Sequence, residues 1–245
     1  MAVWIVLCGL VFGSFLNMLI YRLPLKISLL SPARSICPAC QKTLPWWQLI
    51  PVLSFILLKG RCFFCTTRIS WRYPVIELLC GFCFFLCFIK FGLTEKAIAA
   101  MIFIMLMIVL SAIDLEHMFL PDVLTLGLLW MGLFFNLNHT FVPLHEAVIG
   151  AMGAYGILYL IYAGFKFLTK KEGLGFGDLK LMAALGAWFG WEALPWLLLL
   201  SGILGLVLGI GWQYFKHRTF RLKLNQEFPF GPAIALSGLA WLFLC

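Results

Sequence analysis

The sequence predicts an all-α polytopic membrane protein of about eight transmembrane helices, with a cytoplasmic zinc-binding loop domain between helices 1 and 2. Three observations lead there. Of the 245 residues, 63% are hydrophobic and only 11% are charged, about half the charged share of a soluble domain. The apolar residues come in blocks and not in alternation, which favours helices over a barrel. The basic residues are confined almost entirely to alternate connections between those blocks, as multi-pass chains arrange them.

Taken in order, Ala2–Tyr21 is an uncharged apolar run ended by Arg22 and Pro24. Its positive charge follows the run instead of preceding it, so it reads as a retained first helix with its N-terminus outside. A polar loop comes next, with eight basic residues and no acidic one between Arg22 and Arg72. Within it, Trp46–Leu58 is apolar but short of a span and is expected at the interface or against the helices. Seven further apolar segments occupy 74–90, 96–113, 122–137, 145–168, 179–191, 193–215 and 229–245. The one at 179–191 is short for a span, and Glu192 and Pro195 separate it from the next.

Eight helices with the first N-terminus outside put 21–73, 114–121, 166–178 and 216–228 on the inner side. Those connections hold fifteen of the eighteen Lys and Arg residues, Lys180 sits just past the third of them on the same side, and only Lys90 and Lys96 fall on the outer face. The bias sets the orientation. It also accounts for the net charge of +8, so no nucleic-acid partner is needed. The polar loop is then cytoplasmic, both termini lie outside, and Asp114 and Asp178 reach the same depth at the inner face.

Four of the nine cysteines form Cys37-Pro38-Ala39-Cys40 and Cys62-Phe63-Phe64-Cys65, separated by 21 residues. Two such hairpins offer four thiolates to one tetrahedral zinc, and Lys42, Lys59, Arg61 and Arg68 would favour the thiolate form. Two disulfides, or four free thiols, are the alternatives; a reducing compartment favours a structural zinc. Cys80, Cys83 and Cys87 share one helix face and are expected to pack as small apolar residues.

The chain has three aspartates, Asp114, Asp122 and Asp178, all at predicted ends of apolar segments. An intramembrane carboxylate is costly and points to function. Asp122 follows Leu120-Pro121 and reads as a helix start. Asp178 follows Gly173-Leu174-Gly175-Phe176-Gly177 and could cap a helix in the same way. Asp114 stands at a helix C-terminus, where the dipole disfavours it, and capping does not explain it. Two carboxylates within hydrogen-bond reach share a proton and can activate water. Asp114 and Asp178 are therefore candidate catalytic residues, with Gly175 and Gly177 as glycines that allow unusual backbone or close approach by a substrate strand. A proton-coupled small membrane transporter using the same two acids is the competing reading, and a zinc-bearing scaffold a third. Transporters more often carry internal repeats and midplane acids, and neither is visible here.

Gly175-Phe176-Gly177-Asp178 resembles the G-x-G-D motif of intramembrane aspartyl proteases. Further stretches resemble the type IV prepilin peptidases, the bifunctional leader peptidase/N-methyltransferases. These are Gly9–Asn17 with Tyr21-Arg22-Leu23-Pro24, the paired cysteine hairpins, Ser70–Pro74 with Glu77, Ile113–His117 with Leu120-Pro121-Asp122, and Phe230-Gly231-Pro232. The resemblance implies that Asp114 and Asp178 are the catalytic pair and that the cysteine loop binds zinc. It implies cleavage of a prepilin or pseudopilin leader after a glycine, on the cytoplasmic side of the bacterial inner membrane. S-adenosylmethionine would then methylate the new N-terminal Phe. On that basis the chain divides into a first helix (1–21), a zinc-binding loop (22–73) and a seven-helix catalytic core (74–245). Glu77 is expected either to pair with Arg72 or to serve methyl transfer. His117 and Lys180 are expected to be a solvated histidine and a snorkelling or topology residue. No glycine-rich nucleotide motif locates the methyl donor.

Overall fold

The computed structural model describes residues 1–29, 35–170, 173–217 and 228–244, without the side chains of 213–217. Arg34, Lys171, Arg218, Arg221 and Lys223, which contribute to the charge bias above, lie outside the described residues. Among the described residues there are nine α-helices: α1 Ala2–Arg22, α2 Leu53–Leu57, α3 Arg72–Phe91, α4 Glu95–His117, α5 Asp122–Asn136, α6 Leu144–Thr169, α7 Phe176–Phe189, α8 Leu194–His217 and α9 Gly231–Leu244. All but α2 coincide with the eight apolar segments. The 46–58 stretch instead forms a 3-10 turn at Trp46–Leu49 followed by the short α2.

Length divides the eight. Five helices are long and apolar enough to cross a membrane: α1, α3, α4, α6, and α8 over Leu194–Trp212. α5 has 15 residues, and α7 and α9 have 14 each, or about 21 Å of rise.

The chain forms two compact units, Met1–Val109 and Leu110–Cys245, with α4 contributing to both. In the first, α1 lies along α3. Gly13 makes the approach possible, since a Cβ there would sit 2.6 Å from the Glu77 Cα. Buried Asn17, one turn further along α1, donates through Nδ2 to the Tyr73 carbonyl at 3.1 Å. Cys80, Cys83 and Cys87 are buried on α3, as small apolar residues should be.

In the second unit α7 is the core, packed by α5, α6 and α9. Leu179 and every residue from Leu181 to Phe189 are buried, so this part of the helix is apolar all round because no side of it meets solvent or lipid. α6 crosses it at Gly150 and Gly186, where a Cβ on Gly150 would lie 2.6 Å from the Gly190 carbonyl carbon. A helix this short spends much of its length on its ends, whose carbonyls need donors. Fully buried Asn136 supplies them: Nδ2 donates to the Ala187 and Trp188 carbonyls at 2.9 and 3.1 Å. Its Oδ1 accepts from the Phe141 and Val142 amides at 3.0 and 3.2 Å. Trp188 adds an Nε1–H bond to the Leu128 carbonyl at 2.8 Å.

Asn136→Leu keeps the approximate volume and strands these four backbone groups. It is expected to destabilise the fold by at least about 2 kcal/mol, read as a lower midpoint of thermal unfolding in detergent.

Candidate active site and metal centre

Asp114 belongs to the last turn of α4, where its carbonyl accepts from the Met118 amide at 2.8 Å. Its side chain is buried, at the helix end that repels negative charge. The compensation comes from another helix. Gly231 N–H donates to Asp114 Oδ2 at 2.8 Å, and Gly231 is the first residue of α9. The carboxylate thus faces an unpaired amide at the positive end of a helix. Gly231 is required sterically, because a Cβ there would stand 2.8 Å from that same oxygen. This contact joins residues 117 positions apart, and no local pattern announced it.

Asp178 is the third residue of α7, after the helix-capping Gly175, and is half-buried. Its amide donates to the Gly175 carbonyl at 3.1 Å, and its carboxylate meets the Gly175 backbone amide. An acid at this position folding back on the cap is half of a capping box. The capping explanation therefore holds for Asp178, alongside a second relation: the Asp114 charge acts directly on the Asp178 carboxyl. Both acids belong to the second unit.

Asp122 takes no part. It is exposed at the start of α5, and Lys180 Nζ lies 2.6 Å from its Oδ1. Lys180 is thus the partner of Asp122 across α5 and α7, an exposed pair worth about 0–1 kcal/mol. His117 and Glu116 are exposed at the end of α4.

The glycines before Asp178 act through space and not through unusual backbone. Gly175 has φ −75° and ψ 140°, which any residue adopts. A Cβ on it would lie 3.1 Å from Asp178 Oδ2, and one on Gly177 would lie 2.8 Å from the Leu120 Cβ.

In the first unit the sulfurs of Cys37, Cys40, Cys62 and Cys65 all lie within 4.8 Å of one another. All four are free thiols. The Cys37 and Cys65 sulfurs are 3.8 Å apart, about the edge of a tetrahedron with 2.3 Å metal–sulfur bonds. The donor set fits a tetrahedral metal. Two copies of one hairpin build it. Ile36 bridges Thr43 as Arg61 bridges Arg68. The Cys37 amide donates to the Lys42 carbonyl at 3.0 Å, as the Cys62 amide does to Thr67 at 2.9 Å. Gln41 and Thr66, at φ 57° in both hairpins, turn the chain at equivalent positions. The Thr67 hydroxyl and backbone beside it, the hydroxyl 3.3 Å from Cys65 Sγ, lower the Cys65 thiol to about 6, toward the ligating form.

Glu77, on α3, accepts from the Val52 amide at 2.8 Å and contacts the Ser14 hydroxyl. It fastens the loop to α1 and α3. Asn17 Oδ1 and Gln48 Nε2 are buried in this unit without a hydrogen-bond partner.

Comparison with known proteins follows the same two parts. Residues 101–210 match the Type IV leader peptidase family, and residues 7–91 match the Bacterial Peptidase A24 N-terminal domain. The chain is 43% identical to a prepilin leader peptidase/N-methyltransferase of Dickeya chrysanthemi, over 99% of this chain and 93% of the relative. A protein of the same description from Neisseria gonorrhoeae is 41% identical over 94% of this chain and 86% of its own length. One from Klebsiella pneumoniae is 48% identical over 80% and 88%. No solved structure matches the chain.

Cys62→Ser removes one ligand of four. The wild-type protein is expected to carry one metal ion per chain by elemental analysis, and the variant about none, because three thiolates no longer close the site.

Proposed function

The chain belongs to the type IV leader peptidase family, and on that premise we propose that it is a prepilin leader peptidase/N-methyltransferase with Asp114 and Asp178 as its catalytic pair. The observation that carries this reading is a pair of carboxylates at helix ends of one unit, the charge of Asp114 acting on Asp178 and Asp114 itself tethered by the Gly231 amide. Two acids so placed hold one proton between them. One removes a proton from water as it attacks the scissile carbonyl, and the other donates its proton to the carbonyl oxygen. The tetrahedral intermediate then collapses, its nitrogen leaves as an amine, and the proton shared by the pair is restored. The pair acts as a unit. The Gly231 amide fixes the orientation of one carboxylate throughout.

The substrate is a prepilin or pseudopilin, cut after a glycine at the inner end of its apolar helix. Its backbone passes close to Gly175 and Gly177, where side chains would intrude. In topology the reading takes α5, α7 and α9 as short spans, giving eight in the bacterial inner membrane. The cysteine loop and both acids then face the cytoplasm, and both termini face the periplasm. The Cys37, Cys40, Cys62 and Cys65 cluster holds a structural zinc, because four protein ligands leave no open position for chemistry. S-adenosylmethionine supplies an electrophilic methyl group for the new N-terminal Phe. In the first unit, the unpaired acceptor Asn17 Oδ1, the unpaired donor Gln48 Nε2 and the carboxylate of Glu77 are groups suited to its amino-acid and hydroxyl functions. A free α-amine exists only after cleavage, so the aspartates set the order of the two reactions.

Purified protein mixed with a full-length prepilin and labelled S-adenosylmethionine tests both halves. Wild type is expected to cleave and to transfer label. Asp114→Asn and Asp178→Asn are each expected to lose cleavage by at least about 100-fold, and with it label transfer. Comparable cleavage by either variant would overturn the paired mechanism, and wild-type cleavage without label transfer would leave a peptidase alone. Gly231→Ala retains both acids but displaces Asp114. Its cleavage rate is expected to fall about 10- to 100-fold with little change in prepilin binding, read as a loss in kcat and not in KM.

A further inference from the structure

The first unit contains an open cavity of about 670 Å³, whose lining includes none of the residues assigned above to cleavage or methyl transfer. Its walls are α2, the second cysteine hairpin and the first turns of α3. Among its lining residues are Lys59, Arg61 and Arg68, together with Phe55, Trp71 and Leu78. We propose that this cavity binds the headgroup of an anionic phospholipid. The three cations hold the phosphate, and Trp71 and Leu78 lie against the glycerol and upper acyl chains.

Four observations converge on that ligand. The first is position. Leu78 is in the second turn of α3, a helix long and apolar enough to cross a membrane, and Trp71 immediately precedes it with 73% of its surface exposed. The cavity therefore opens where the chain enters the bilayer, the level at which Trp and basic side chains gather. The second is charge. The only acidic side chains in residues 1–109 are Glu77 and Glu95. Glu77 is held by the Val52 amide, and Glu95 follows the far end of α3, about 30 Å from its start. Among the described residues, neither carboxylate forms an ion pair with the three cations.

The third is the surround. α2 exposes Leu53, Ile56 and Leu57, at 48%, 63% and 69%. Three exposed aliphatic side chains on a five-residue helix suit immersion among headgroups and upper acyl chains, not contact with water. The fourth is size and chemistry. Inorganic phosphate would satisfy the cations but leave Trp71 and Leu78 uncovered. The methyl donor carries a sulfonium cation that the same three side chains repel. A lipid phosphate with attached chains meets both walls. This inference concerns the membrane context of the chain and does not depend on the catalytic reading.

Native mass spectrometry of the full-length protein in neutral detergent tests it. Phosphatidylglycerol, phosphatidylcholine, inorganic phosphate and S-adenosylmethionine are offered separately. Wild type is expected to retain one phosphatidylglycerol at least about tenfold more strongly than phosphatidylcholine. The K59Q/R61Q/R68Q variant should lose that preference. Arg61 and Arg68 belong to a metal-binding hairpin, so bound metal is counted in the same spectra. If the triple variant has lost its metal, Lys59→Gln decides, with weakened phosphatidylglycerol binding, against Lys59→Arg, which should keep it. Equal retention of the two lipids by wild type would overturn the proposal. So would undiminished phosphatidylglycerol binding in the deciding variant, or wild-type binding of inorganic phosphate or S-adenosylmethionine that displaces the lipid.

Discussion

A buried carboxylate at the C-terminal end of a helix cannot rest on its own helix for stabilisation, and the second unit is arranged around that constraint. Asp114 sits at the end of α4 where the dipole is unfavourable, and the start of α9 supplies the missing donor at 2.8 Å. Asp178 occupies the favourable end of α7 and bonds back to its own cap. The result is two carboxylates, each with a backbone amide, and the charge of Asp114 acts on the Asp178 carboxyl. Their relation depends on α7 and α9 both beginning at the right place. α7 is fixed from its other end, where Asn136 ties its last carbonyls to the chain between α5 and α6. A polar side chain in the core thus orders an acid at the opposite end of the same short helix.

The first unit solves a different problem. Among its described residues, the loop between α1 and α3 has a five-residue helix, one 3-10 turn and two isolated bridges, too little regular structure to fix it by backbone pairing alone. It repeats one hairpin twice, with the same amide-to-carbonyl bonds and the same left-handed residue in each, so that four thiols converge. Glu77 then links this loop to the helices by accepting from Val52, whose own φ is 61°. The four-thiol cluster and the buried acid act on the loop from two sides.

The helices were legible because apolar blocks are long and their ends carry charge or proline. All eight segments are helical, and the short one at 179–191 is indeed the buried α7. The cysteine cluster was legible because its spacing is local and repeated. Contacts between distant positions were not. Nothing near Gly231 indicates that its amide belongs to Asp114, and nothing near Asn136 indicates that it holds Trp188. The Asp122–Lys180 pair was missed for the same reason, since Lys180 is near Asp178 in sequence but on another face of α7. Gly175 and Gly177 were picked out correctly for their small size. The added expectation of unusual backbone fails at Gly175, whose dihedral angles are ordinary. Composition counted apolar segments well but could not show that three of the eight helices fall below the length of a span.

α7 has a further consequence for how the protein is made. At about 21 Å it is shorter than the roughly 30 Å hydrocarbon layer, and it opens with Asp178 and Lys180. Released alone into lipid, it would leave its terminal amides and carbonyls unsolvated. Its stable place exists only once α5, α6 and α9 surround it, and α9 is the last helix of the described chain. The step that seats α7 therefore waits for synthesis of α9, more than forty residues further along the chain. Until α9 arrives, Asp114 lacks its amide donor. Assembly of the acid pair and the docking of α9 are one event.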